Sequence, residues 1–198
     1  FKTFITKPRC IDLAFANRYS ISLIDSNKLG KLNTNDLAIL TKKFYNDTYT
    51  MDQFGCSSPN SIFWLGKNNN AKKKFWFELS KIVNKKYDLD LSGTNKKISN
   101  LMNYTLSKNQ KFKVDLGNFN LITLKSEELN FDKFVNINFG TFLEINLNNI
   151  NQLQKYTSEK LQTVTYYGIH FKSIKEFIIK NRIKGIDRIV PIGRAFDL

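Results

Sequence analysis

An α/β fold with a largely parallel sheet flanked by helices is predicted by two features of this sequence. Short apolar runs of strand length alternate with longer stretches whose apolar residues recur at helical spacing. The alternation runs to the C-terminus with no internal repeat and no Pro/Gly/Ser-rich linker. The 198 residues are therefore expected to form one unit, long enough for a sizeable core.

Tyr19-Ser20-Ile21-Ser22-Leu23-Ile24 alternates and then becomes fully apolar, as a strand does. Asn33 or Thr34 is suited to cap a helix with Asp36 in its first turn, and Leu37, Leu40, Phe44 and Tyr45 carry that helix to about Thr48. The segment 52–58 follows, then Pro59, then the buried strand Ser61–Leu65. Asn68–Asn70 reads as a turn, and Ala71–Asn84 as a helix with Phe75, Leu79, Ile82 and Val83 on one face. Thr94 is expected to cap a further helix that turns Ile98, Leu101, Met102 and Leu106 inward. Lys111–Leu116 and Phe119–Leu124 form a predicted hairpin about Gly117-Asn118. Phe139–Leu147 is a strand region, Ile150–Tyr156 a short helix, Leu161–Tyr167 a strand, Ser173–Arg182 a helix and Arg188–Ile192 a strand.

Composition narrows the function classes. Hydrophobic residues at 41% and charged residues at 24% are globular values, and no apolar run has the length of a membrane span. The net charge of +14 comes from 26 Lys and 5 Arg against 17 acidic residues. Nucleic-acid readers favour Arg, whose planar fork matches phosphate and base acceptors, so a Lys/Asn-rich chain is not expected to bind nucleic acid. Cys10 and Cys56 are too few for a disulfide framework, and with His170 as the only histidine they have no zinc-ligand spacing. Two reduced thiols in a cytoplasmic protein are expected. The chain starts at Phe1 without an initiator Met, as a piece of a longer protein would.

One of those thiols sits where chemistry is possible. In Asp52-Gln53-Phe54-Gly55-Cys56-Ser57-Ser58-Pro59 the cysteine lies on a turn between helix and strand, with small residues on both sides and a proline fixing the exit. A thiol on such a turn is reachable, and the turn's backbone N–H groups, that of Cys56 included, are placed to meet an oxyanion. The alternative is an inert buried cysteine. Cys10, between Arg9 and Ile11, has no comparable turn. His170 follows Gly168-Ile169 after a strand, and any Cys–His pair has to use it.

Asp52-Gln53-x-x-Cys56-Ser57-Ser58-Pro59 resembles the nucleophile segment of LuxC-type long-chain acyl-CoA reductases, a branch of the aldehyde dehydrogenase superfamily. Lys7–Asp12 with Tyr19-Ser20, Leu161-Gln162-Thr163-Val164 and Gly185–Ala195 resemble further segments of that branch, in the same order. The resemblance implies an aldehyde-dehydrogenase-like catalytic domain in which Cys56 attacks an acyl thioester. It also implies NADPH as hydride donor, a fatty aldehyde as product, and an acyl-CoA or acyl-protein as donor. An acyl-protein synthetase partner and a homo-oligomer belong to the same expectation.

Members of that family are longer, and their dinucleotide-binding part lies mostly ahead of the region matched here. No Gly-x-Gly-x-x-Gly occurs, so residues 1–198 are expected to be the nucleophile-bearing catalytic domain without that part. Ile11-Asp12-Leu13-Ala14-Phe15 stands where the superfamily has a Glu-Leu-Gly-Gly base segment, and Asp12 is not counted as catalytic. Ile137 stands where a ribose-binding Glu precedes Phe139-Gly140. Two rival readings remain. One is a cysteine hydrolase using Cys56 and His170 with Gln53 as an oxyanion donor; the other is a non-catalytic basic binding module.

Overall fold

Strand residues alternate between two apolar faces, and that alternation is why helices cover the sheet on both sides. The structure is a computed structural model that describes residues 18–106, 113–125 and 137–197. In order these form β1 (Tyr19–Asp25), α1 (Ser26–Leu29), α2 (Thr34–Tyr49), β2 (Pro59–Leu65), α3 (Asn69–Lys86) and α4 (Leu91–Leu106). There follow β3 (Lys113–Asn118), β4 (Leu121–Lys125), β5 (Thr141–Leu147), a 3-10 helix (Ile150–Tyr156), β6 (Leu161–Tyr167), α5 (Phe171–Lys180) and β7 (Arg188–Pro191). The strands form one sheet in the order β3-β4-β5-β2-β1-β6-β7. Each neighbouring pair is parallel except β3–β4, the antiparallel edge.

Ile21, Leu23, Phe63, Leu143 and Ile145 point to one face, where Tyr104 of α4, Ile174 and Phe177 of α5 and Leu153 of the 3-10 helix meet them. Ile24, Ile62, Trp64 and Phe142 point to the other, under Leu40 and Phe44 of α2 and Phe75 and Leu79 of α3. Phe44, Phe75, Trp64, Trp76 and Phe142 interlock there through edge and tilted ring contacts. Each such side chain taken fully from water contributes roughly 1.5–3 kcal/mol.

Several helix and turn boundaries differ from the sequence expectation for identifiable reasons. Asn33 caps α2 by accepting from Asp36 N at 2.9 Å, as expected, and Asn68 caps α3 through Ala71 N at 3.0 Å. Asp90, not Thr94, caps α4, its carboxylate accepting from Gly93 N at 2.6 Å. The inward face of α4 is also different. Ile98, Met102 and Leu106 are exposed, and the face carries the fully buried Lys97 and Tyr104 instead. The hairpin turn lies at Phe119-Asn120, two residues late, because Asn118 accepts from Asn120 N at 2.9 Å and turns the chain there.

The register decides where a site can form. Ser20 of β1 pairs with Pro59 of β2 and with Thr163 of β6, so the N-terminal ends of three parallel strands lie side by side. The chain between α2 and β2 lands on that edge.

Candidate active site

Cys56 lies on the connection from α2 to β2, and its residue is exposed. That connection leaves the helix through a reversal. Gln53 N bonds Thr48 O at 2.9 Å, and Asp52 and Gln53 take φ values of 49° and 63°. These left-handed conformations are strained for residues with side chains, so the surroundings must hold them. Asp52 is held at both ends: Tyr87 Oη donates to its carboxylate at 2.6 Å, and its carbonyl accepts from Phe139 N at 3.1 Å.

The side chain of Gln53 supplies the strongest restraint. Its Oε1 accepts from Gly140 N at 2.8 Å and Thr141 N at 3.2 Å, while its Nε2 donates to Pro59 O at 3.3 Å and Thr141 O at 3.2 Å. It thereby bridges the start of β2 to the start of β5. Gly140 fits this approach because it has φ 72° and a Cβ there would lie 2.2 Å from Asn120 O.

Four hydroxyls fix the other side of the turn. Ser20 Oγ donates to Cys56 O at 2.6 Å and accepts from Thr163 N at 3.1 Å. Thr163 Oγ1 meets Ser57 Oγ at 3.2 Å, and Ser58 Oγ donates to Asp47 O at 2.7 Å. Ser58 N is taken by Gly55 O at 2.8 Å. Among the described residues the Cys56 N–H donates to no protein acceptor. The backbone bearing the thiol is thus tied to β1, β6 and α2, with the Cys56 N–H left open.

The C-terminal segment reaches the same place. Asp47, buried in α2, accepts from Gly193 N at 2.6 Å and Ala195 N at 3.1 Å. Burial raises its carboxyl to about 6 against the pull of those two N–H groups. Arg188 braces the segment from β7 by donating to Ala195 O at 3.0 Å. Phe196 comes to rest over Gly55, where a Cβ would lie 2.7 Å from its ring. Met51, Phe54 and Phe196 leave apolar surface exposed around the turn, and Phe54 also packs edge-on against Phe139 at 5.1 Å.

Lys97 supports this edge from below. Fully buried, it donates to Phe119 O and, at 2.6 Å, to Phe139 O. Burial pulls its pKa down to about 7.

The structure does not bring the other predicted site residue to Cys56. His170 is an exposed residue at the start of α5, beyond the C-terminal end of β6. Ser57 touches β6 at Thr163, and the four residue steps from there to Tyr167 already span about 13 Å. The Cys56–His170 pair is therefore corrected: the two occupy opposite ends of the sheet. Gln53 is likewise no oxyanion donor, since both sides of its amide are engaged and it is 3% exposed. The cysteine-hydrolase reading fails on both counts. Cys10, Asp12 and the Lys7–Asp12 segment lie outside the described residues.

With this geometry in view, the comparison with protein families is decisive. The model of the acyl-CoA reductase (LuxC) family matches residues 4–197. The chain belongs to this family. No curated protein matches the sequence. Solved structures similar to this LuxC-family chain are aldehyde dehydrogenases, and they show the fold. One is a gamma-glutamyl-gamma-aminobutyraldehyde dehydrogenase from Burkholderia cenocepacia, 7% identical with a TM-score of 0.57 over 88% of this chain and 38% of that one. Another is a delta-pyrroline-5-carboxylate dehydrogenase from Mycobacterium tuberculosis, 11% identical with a TM-score of 0.56 over 88% and 35%. A third is an NAD-dependent aldehyde dehydrogenase from Sinorhizobium meliloti, 8% identical with a TM-score of 0.54 over 88% and 37%. The LuxC-family chain thus spans well under half the length of these structures.

Position 137 bears on cofactor binding in this LuxC-family chain. Ile137 is 2% exposed and packs in the core, so it offers no group to a ribose hydroxyl. The residues present there do not fit that contact. Among the described residues no helix is long and apolar enough to cross a membrane, and no group of three or more His, Cys, Asp or Glu could hold a metal ion.

Proposed function

We propose that this chain is the nucleophile-bearing catalytic domain of a long-chain acyl-CoA reductase and that Cys56 is its nucleophile. The observation that carries this is the exposed thiol on a turn tied to β1, β6 and α2, within a chain matched along its length by the acyl-CoA reductase family. The Cys56 thiolate attacks the thioester carbonyl carbon, forming a new C–S bond and an oxyanion. The oxyanion collapses, the C–S bond to coenzyme A breaks, and the CoA thiolate leaves behind a Cys56 acyl-enzyme. The open Cys56 N–H is a donor for the oxyanion.

The surroundings suit an acyl group. Met51, Phe54 and Phe196 present apolar surface beside the thiol, a match for a long aliphatic chain. In this reading NADPH would supply a hydride to the acyl carbon, after which the C–S bond to Cys56 would break, releasing the aldehyde and returning the Cys56 thiolate. An acyl-CoA or acyl-protein donor, an acyl-protein synthetase partner, a homo-oligomeric assembly and a cytoplasmic setting complete the proposal.

The test is covalent labelling. Incubation with radiolabelled long-chain acyl-CoA is expected to leave hydroxylamine-sensitive label on the wild type and on Cys10→Ala, and none on Cys56→Ala. An unlabelled wild type, or label that survives in Cys56→Ala, overturns the assignment.

A further inference from the structure

On the α2–α3 face, away from the Cys56 turn, a groove of about 660 Å³ runs between α3 and the strands β4 and β5. Its volume lies within the usual range for small-molecule sites. Glu144 forms its floor. This carboxylate is 5% exposed, and its Oε2 accepts from both Trp64 Nε1 at 2.7 Å and Trp76 Nε1 at 3.0 Å. Its Oε1 is buried and has no hydrogen-bond partner among the described residues. A buried carboxylate oxygen left without a donor is costly, so this atom is a place for a ligand's donor group.

Charge and shape state what that ligand carries. Lys125 Nζ stands 4.0 Å from Glu144 Oε1, too far for a direct bond. A hydroxyl oxygen about 2.8 Å from each would accept from the ammonium and donate to the carboxylate. Lys72 and Lys73 line the same groove, giving three ammonium groups against one carboxylate. Lys72 is held over the Trp64 ring and against Asn146 Oδ1 at 2.7 Å, and its burial lowers its pKa. An anion beside it would restore the favourable setting for its charge. Trp76 and Phe77 add an aromatic wall on which a flat ring or a sugar face can rest.

We propose that this groove binds a phosphorylated ribose, with a ribose hydroxyl bridging Glu144 Oε1 and Lys125 Nζ and phosphate held by the groove's lysines. Nucleotides and sugar phosphates share this chemistry. The site stands apart from the Cys56 turn and does not rest on the acyl-enzyme reading.

The chain's two tryptophans both donate to Glu144, so intrinsic fluorescence reports directly on the groove. Titration with adenosine 3′,5′-bisphosphate is expected to change that fluorescence saturably below about 1 mM. The Lys73→Glu/Lys125→Glu double variant should weaken binding at least about tenfold. Lys155→Glu, half that charge change placed on the 3-10 helix across the sheet, should leave it within about twofold. A parallel titration with ribose 5-phosphate separates the sources: comparable affinity points to sugar phosphates, much weaker affinity to nucleotides. No saturable change overturns the proposal, as does equal weakening by Lys155→Glu. Inorganic phosphate binding as tightly as the bisphosphate removes the ribose and overturns it too.

Discussion

Removing the Gln53 side chain should loosen the turn that carries the thiol. In Gln53→Ala four contacts disappear at once, to Gly140 N, Thr141 N, Pro59 O and Thr141 O. Each is a buried amide–backbone bond with a net value of about 1 kcal/mol, so the expected loss is about 2–5 kcal/mol. The lower end applies if water enters the space left behind. Alanine at φ 63° relieves none of the backbone strain, so no offset comes from that side. Stability is read by urea unfolding at pH 7.5, and access to the turn by the rate of Cys56 modification with a disulfide reagent in a Cys10→Ser background. That rate should change severalfold once the strands no longer hold the turn. Gln53→Glu is the companion variant. Its second carboxylate oxygen faces the carbonyls of Pro59 and Thr141, so the ionised form is disfavoured and stability should recover as pH falls from 7 toward 4. A loss below about 1 kcal/mol together with an unchanged thiol rate would refute the bridging role.

Two further outcomes follow from buried charges. Asp47 has its pKa raised from 3.8 to about 6, so its contribution is fully present below 3.8 and is lost as pH rises through about 6. The stability difference between wild type and Asp47→Asn should therefore fall by about 2 kcal/mol from pH 4 to pH 7; a flat difference in urea midpoints contradicts it. Lys97 behaves oppositely, with its pKa lowered from 10.5 to about 7. Its contribution is fully present above 10.5 and is lost as pH falls through about 7. Wild type should thus gain about 2 kcal/mol over Lys97→Met between pH 7 and pH 9, measured in the same way.

The sequence foretold most of the strands and less of the site's support. β6 and the 3-10 helix end where their patterns do, at Tyr167 ahead of Gly168 and at Tyr156 ahead of Thr157. The sheet's parallel character follows from the interleaved helices. The thiol itself was legible in its turn chemistry. Its scaffold was not: Gln53 and Ser20 act through pairings with residues 88 and 143 positions away, which local pattern cannot supply. Lys97 misleads for a related reason. A lysine on the inward face of α4 is invisible to hydrophobic periodicity, which assigned Met102 and Leu106 to the core instead. Asp47 did leave a signal, since it lies three residues after Phe44 on the buried stripe of α2. A carboxylate at such a position needs donors, and two backbone N–H groups beyond β7 provide them.

That clasp also bears on timing. Its two halves, Asp47 and Ala195, are separated by 148 positions. During synthesis α2 and the cysteine turn emerge from the ribosome long before Gly193, Ala195 and Phe196. Until then Asp47 has neither of its backbone donors, and Gly55 has no ring above it. At roughly 5–20 residues per second, that interval lasts on the order of ten seconds. The nascent chain thus carries its thiol in an unfinished setting until residues 193–196 emerge to complete it.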